Sequence, residues 1–87
     1  MRASKDLILR EIAGEYILIP VGKAALRIHG MINLSESAAF LWKKLQNDTT
    51  EEQLVDALLE EYEVDRQTAC SDVAELLEMM RSAGVIE

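Results

Sequence analysis

Residues 30–45 read GMINLSESAAFLWKKL, and the chain changes its period inside them. Up to Leu34 the residues suit an extended strand: Met31, Ile32 and Leu34 are apolar, Asn33 is polar, and Gly30 precedes them. From Ser35 onward the spacing is helical. Ala38, Leu41, Trp42 and Leu45 recur at i, i+3, i+4 and i+7, which is one stripe of a helix. Ser35 is a good N-cap, because its hydroxyl can accept a first-turn amide, and Glu36 places negative charge where the helix dipole favours it.

Reading backward from Gly30 gives strands. Leu7 to Ile12 (LILREI) predicts a strand, and Ala13-Gly14 a tight turn in which Gly supplies the positive φ. Tyr16 to Ile19 predicts the returning strand, and Pro20, which has no backbone donor, marks its end. Gly22-Lys23 reads as a second turn, and Leu26 to Leu34 as a third strand interrupted at Gly30. A three-stranded antiparallel meander is the simplest arrangement of these pieces.

Reading forward gives two more helices. Asn47-Asp48 closes the first. Thr50 with Gln53 three residues on fits a capping box, and the stripe Leu54, Val55, Leu58, Leu59, Tyr62 follows. Asp65 caps the last helix, whose stripe is Ala69, Val73, Leu76, Leu77 and Met80, and Gly84 stops it near Ala83. Val85 and Ile86 are expected to pack the tail back onto the core. The order β-β-β-α-α-α within one domain over 1–87 predicts an α+β fold, winged helix-turn-helix-like, with a three-stranded antiparallel sheet followed by three helices.

Composition excludes several functions. With 87 residues, 49% of them hydrophobic, the chain can fill one core. Its apolar runs are far shorter than the ~20 residues of a membrane helix, and the N-terminus does not read as a signal peptide, so the cytoplasm is the expected compartment. Sixteen acidic residues face nine basic ones, a net charge of −7. That balance opposes phosphate, hence nucleic acid and anionic membrane surfaces. One cysteine, Cys70, and one histidine, His29, allow no internal disulfide and no Cys/His zinc site. No P-loop, G-x-S-x-G, G-x-G-x-x-G or H-E-x-x-H run occurs. No catalytic residue, metal or cofactor is expected. Cys70, beside the last helix's stripe, reads as a small core residue. His29 reads as a strand residue, at an edge or partly buried, that satisfies a local hydrogen bond.

What remains is an edge. A three-stranded sheet leaves unpaired backbone donors and acceptors on its outer strands, and an extended peptide can add there as a further strand. Gly30, Met31, Ile32, Asn33 and Leu34 form the candidate edge. The same residues also suit a plain strand with Met31, Ile32 and Leu34 in the core and Asn33 solvated.

The quoted stretch resembles the signature of the PqqD family, in which G-M-[apolar]-x-L leads through an acidic cap into an A-x-x-[IL]-[WL] helix. Thr50-Glu51-Glu52-Gln53-Leu54, Tyr62-Glu63-Val64-Asp65, Asp72-Val73 and Gly84-Val85-Ile86 continue the likeness in the family's order, over roughly residues 7–87. The resemblance implies a β3α3 winged-helix fold and no catalysis. It also implies a peptide-chaperone role. Such domains bind the leader of a ribosomally synthesised precursor peptide and present it to a modifying enzyme, often a radical S-adenosylmethionine (radical SAM) enzyme. Carried over, the leader adds to Gly30, Met31, Ile32, Asn33 and Leu34 and lies against the flank of the last helix at Asp72, Glu75, Leu76, Met79 and Ala83. Met79 falls at the rim of that helix's core stripe, where it suits either an apolar groove or packing on the sheet. Ser35 stands where the family commonly has Asn, an exchange of one helix cap for another. Leu26-Arg27-Ile28-His29 replaces the tyrosine-proline-glutamate segment of members serving pyrroloquinoline quinone synthesis, so a different peptide is expected. Two other readings stay open: a winged-helix DNA-binding protein, which the acidic last helix opposes, and a structural dimer through the edge strand. A monomer or weak dimer is expected.

Overall fold

The computed structural model describes residues 1–87. Strand β1 (Leu7–Ile12) pairs antiparallel with β2 (Glu15–Pro20), and Leu9 sits opposite Leu18. Leu7, Leu9, Leu18 and their cross-strand partners share one face because strand side chains alternate. That face meets the helices, and Leu18 is fully buried there. The hairpin turn carries positive φ at both central residues, 52° at Ala13 and 81° at Gly14. A two-residue turn of this type matches the right-handed twist of the strands. Gly14 was expected to supply such a value, and Ala13 takes one too.

Gly22-Lys23 forms the expected turn, but the residues from Ala24 to Met31 depart from the reading of the sequence. In place of a strand beginning at Leu26, one helical turn, α1 (Ala24–Arg27), follows β2, and β3 is only Ile32–Leu34. Two causes act together. Lys23, Ala24, Ala25, Leu26 and Arg27 are all good helix formers, and buried Ala24 anchors the turn. Gly30 has a φ of 92°, outside the strand region, so no continuous strand crosses it. Leu26 is consequently 80% exposed and Met31 63% exposed. His29 lies in the exposed connection and its side chain makes no hydrogen bond, contrary to its reading as a strand residue with a local hydrogen bond. β3 pairs antiparallel with β2, with Ile32 opposite Leu18 and Leu34 opposite Tyr16. The sheet order β1-β2-β3 leaves β3 on an edge.

The helical half follows the caps. α2 (Glu36–Lys44) starts at Ser35, whose hydroxyl accepts from the Ala38 amide at 3.2 Å. α3 (Glu51–Glu61) starts with the full capping box: Thr50 Oγ1 accepts from the Gln53 amide, and Gln53 Oε1 from the Thr50 amide, each at 3.1 Å. α4 (Arg66–Ser82) starts at Asp65, whose carboxylate accepts from the Thr68 amide at 2.7 Å. Gly84, at φ 70°, closes α4 with the paired bonds of a Schellman turn, Val85 N–H to Met80 O at 3.0 Å and Gly84 N–H to Arg81 O at 3.1 Å. Arg27 of α1 donates from Nη2 to the Gly84 carbonyl at 3.3 Å, which sets a cation on the negative end of α4.

One core joins the layers. Leu41, Trp42 and Leu45 meet Leu54, Val55 and Leu58 of α3 and Ala69, Val73, Leu76, Leu77 and Met80 of α4. Val85 is also fully buried, as expected of the tail. The two chain ends pair as well: Arg2 and Glu87 exchange backbone bonds of 2.9 and 2.7 Å around an Ala3–Ile86 bridge. Cys70 is not part of the core. It is exposed, because Ala69 already closes that side of the stripe and Cys70 turns outward beyond it.

Candidate functional site

β3 and α4 face each other across the N-terminal turn of α2, and a cavity of about 260 Å³ opens between them. Asn33 and Leu34 form its strand wall. Asp72, Glu75, Leu76 and Met79 form its helix wall, and Ser35, Ser37, Ala38 and Leu41 lie beneath. The helix residues meet there because positions 72, 75, 76 and 79 are three or four apart, which stacks them along one flank of α4. Leu76 belongs to the core and Met79 is half-buried at its border, so the wall grades from apolar floor to acidic rim. Cys70, nine residues from Met79 at ~100° per residue, is on the opposite flank.

Six of the ten positions singled out from the sequence thus line one cavity: Asn33, Leu34, Asp72, Glu75, Leu76 and Met79. Four do not. Gly30 and Met31 line a separate cavity of about 350 Å³ with Ile19, Pro20, Ala25, Ile28 and His29. Ile32 is half-buried and packs toward the core from its place opposite Leu18. Ala83 is half-buried against the core at the C-cap of α4. The floor residues Ser35, Ser37, Ala38 and Leu41 were not singled out. Ser35 and Ala38 carried a signal only as cap and stripe, and their part in the cavity follows from α2 starting directly at the end of β3.

Two further cavities continue from the first. One of about 260 Å³ is lined by Glu36, Ser37, Leu58, Tyr62, Val64 and Asp72, and shares Ser37 and Asp72 with its neighbour. The next, about 230 Å³, shares Glu36 and Tyr62 with the second and reaches Tyr16, Phe40, Lys43 and Glu61. Tyr62 stands edge-on to Phe40, with ring centroids 5.6 Å apart. Burial pushes its hydroxyl above the ordinary tyrosine range, and the charges of Glu36 and Glu61 add to the effect. Nowhere do three or more His, Cys, Asp or Glu side chains gather as a metal site would require. No helix is long and apolar enough to cross a membrane.

The sheet edge, the α2 cap and the α4 flank are therefore held in one sequential unit, and its sequence has relatives. The profile of the family described as "Coenzyme PQQ synthesis protein D (PqqD)" matches residues 15–86. The chain belongs to the PqqD family. The matched stretch begins with β2, so β1 lies outside it, although the resemblance read from the sequence began near residue 7. Two solved structures share the fold. "TbiB1 in Complex with the TbiA(beta) Leader Peptide" superposes with a TM-score of 0.76 at 24% identity, covering 100% of this chain and 95% of its own. "Lasso peptide synthetase B1 complexed with the leader peptide" gives 0.73 at 21% identity, covering 97% and 93%. The PqqD-like winged fold expected from the sequence is thus shown, with α1 as an element that the sequence reading did not include. No curated protein matches the chain.

Proposed function

We propose that this domain binds the leader segment of a ribosomally synthesised precursor peptide by strand addition to β3. It performs no chemistry itself and presents the precursor to a modifying enzyme, for which the family resemblance favours a radical SAM enzyme. The observation that carries the reading is the free edge of β3 running beside the cavity between β3 and α4. Alternate residues of an edge strand direct their N–H and C=O away from the sheet, so a peptide laid there gains backbone hydrogen bonds and a fixed register. Every second side chain of that peptide then points toward α4. The cavity, about 260 Å³, lies below the roughly 300–1,000 Å³ typical of small-molecule sites and suits an apolar side chain of such a strand.

Membership of the PqqD family and the two leader-peptide complexes among structures of the same fold support this reading. So does charge. Asp72 and Glu75 on α4, the helix a DNA-binding winged domain would present to the groove, oppose phosphate. The edge that takes a peptide also permits weak pairing between two copies.

NMR titration of the labelled protein with leader peptides encoded beside its gene tests the reading. Shifts centred on residues 30–37 and 72–79 are expected, with Met79→Glu weakening binding by tenfold or more while the melting temperature stays nearly unchanged. Absence of shifts with every such peptide would remove the proposal. A large loss of stability in Met79→Glu would place Met79 in the core rather than in the groove.

A further inference from the structure

Four carboxylates line the trough that leads from the end of β3 past α4 to Tyr62: Glu75 and Asp72, then Glu36, then Glu61. No cation of the chain pairs with them. The three ion pairs join the N-terminus to Asp48, Arg2 to Glu87 and Arg66 to Asp56. Arg27 is engaged at the Gly84 carbonyl. Lys43, which lines the far cavity with Glu36 and Glu61, lies over the Tyr16 ring, 5.7 Å from its centroid, and Lys44 lies 5.3 Å from that of Phe40. The raised Tyr62 pKa, owed after burial to Glu36 and Glu61, reports the same negative field.

The middle cavity combines this charge with apolar walls. Leu58, Tyr62 and Val64 offer hydrocarbon and an aromatic ring, while Glu36 and Asp72 line the same space. An aliphatic stem ending in a cation fits both halves: the stem covers the apolar wall, and the head meets two carboxylates. A neutral apolar side chain would leave the carboxylates without a partner, and an acidic one would be repelled.

We infer that this cavity is a subsite for a lysine or arginine of the bound peptide, placed beyond the segment that adds to β3. The inference rests on the strand-addition reading and adds to it the chemistry of the ligand. The peptide class is an extended segment with an apolar residue for the β3–α4 cavity and a basic residue at one fixed spacing from it. Surface pairs of this kind are individually weak, so the expected preference for the basic residue is roughly tenfold in affinity.

The test is selection of a phage-displayed random dodecapeptide library on the intact protein and on Asp72→Lys, with Glu36→Gln as a milder variant should Asp72→Lys fold poorly. The intact protein should enrich Lys or Arg at one register position, about tenfold over chance. Asp72→Lys should keep the apolar position and replace the basic one with Asp or Glu, and Glu36→Gln should reduce the basic preference several-fold. An apolar motif with no basic position would overturn the subsite and leave strand addition standing. So would a basic preference that is not fixed in register or that survives Asp72→Lys. Failure of the intact protein to enrich any peptide would overturn the subsite and strand addition together.

Discussion

The two halves of the molecule are held in different ways. Residues 35–87 form three helices, each started by a side-chain cap and each contributing buried stripe residues to one core. Residues 22–34 form one helical turn and a three-residue strand, with two of the chain's most exposed large apolar side chains, Leu26 and Met31, among them. The helices satisfy their own backbone groups, whereas β3 leaves one side of its backbone unpaired. The half with the spare hydrogen-bonding capacity is the half that can accept a partner, and the capped half supplies the rigid wall against which the partner lies.

Truncation should separate the halves most sharply. Trp42 is 2% exposed and joins α2 to the rest of the core. Trp42→Ala should cost about 3–5 kcal/mol, through lost burial and the void left behind. Met31→Ala, at an exposed position, should stay within about 0.5 kcal/mol of the parent. Chemical denaturation measures both. A comparable loss in the two variants would show that residues 22–34 are as firmly built as the helices.

A proline pair sharpens the contrast within β3. Adjacent strand residues direct their N–H groups to opposite sides, so one of positions 32 and 33 faces β2 and the other faces outward. Of Ile32→Pro and Asn33→Pro, one should lower stability by breaking the ladder. The other should leave the fold intact and reduce peptide affinity by tenfold or more. Melting curves and peptide titrations on both variants decide it. If both variants remain stable and bind normally, β3 is not the docking edge.

Acid should act on the capped half first. Asp65 accepts the Thr68 amide, which holds its carboxyl below the usual range. A depressed folded-state pKa contributes stability that is present above the unfolded value and lost as pH falls through the folded one. The Asp65 contribution should therefore be complete at neutral pH and fade once pH drops below about 4. Asp65→Asn keeps a capping oxygen without the titration, so its melting temperature should fall less steeply over that range. Parallel acid limbs in the two proteins would mean that the cap adds nothing to stability.

The legibility of the sequence follows the same division. Ser35, Thr50, Asp65 and Gly84 announce helix ends through bonds made within four residues, and each was readable as such. The strand from Leu7 to Ile12 was readable too, because its apolar residues and the Ala13-Gly14 turn that ends it are local signals. Leu26 to Met31 was misread because its apolar residues suit a strand, while Gly30 and the helix formers before it act against one. Cys70 was misread because a stripe position and its neighbour differ by one step of the helix, and only packing decides which faces inward. Asp72, Glu75, Leu76 and Met79 were legible as one flank of a helix. That Asn33 and Leu34 stand opposite them, and that Tyr62 and Glu36 extend the trough, depends on how α3 and α4 cross, which no local pattern encodes.

The hairpin turn offers the smallest and most local test. Ala13 adopts φ 52° beside Gly14 at 81°. A left-handed backbone brings Cβ close to the following carbonyl, at a cost of roughly 1–2 kcal/mol for an ordinary L-residue, and Asn tolerates it better than Ala because its side chain bonds locally. Asn-Gly is the favoured pair for a turn with both central φ values positive. Ala13→Asn should therefore stabilise the domain by about 0.5–1 kcal/mol, seen as a rise of a few degrees in melting temperature. Because neither Ala13 nor Gly14 lines any cavity of the site, peptide affinity should not change. A gain in stability accompanied by a change in affinity would mean that the sheet moves as one body when a peptide docks, and that the contrast between a rigid wall and an open edge is less sharp than the static geometry makes it.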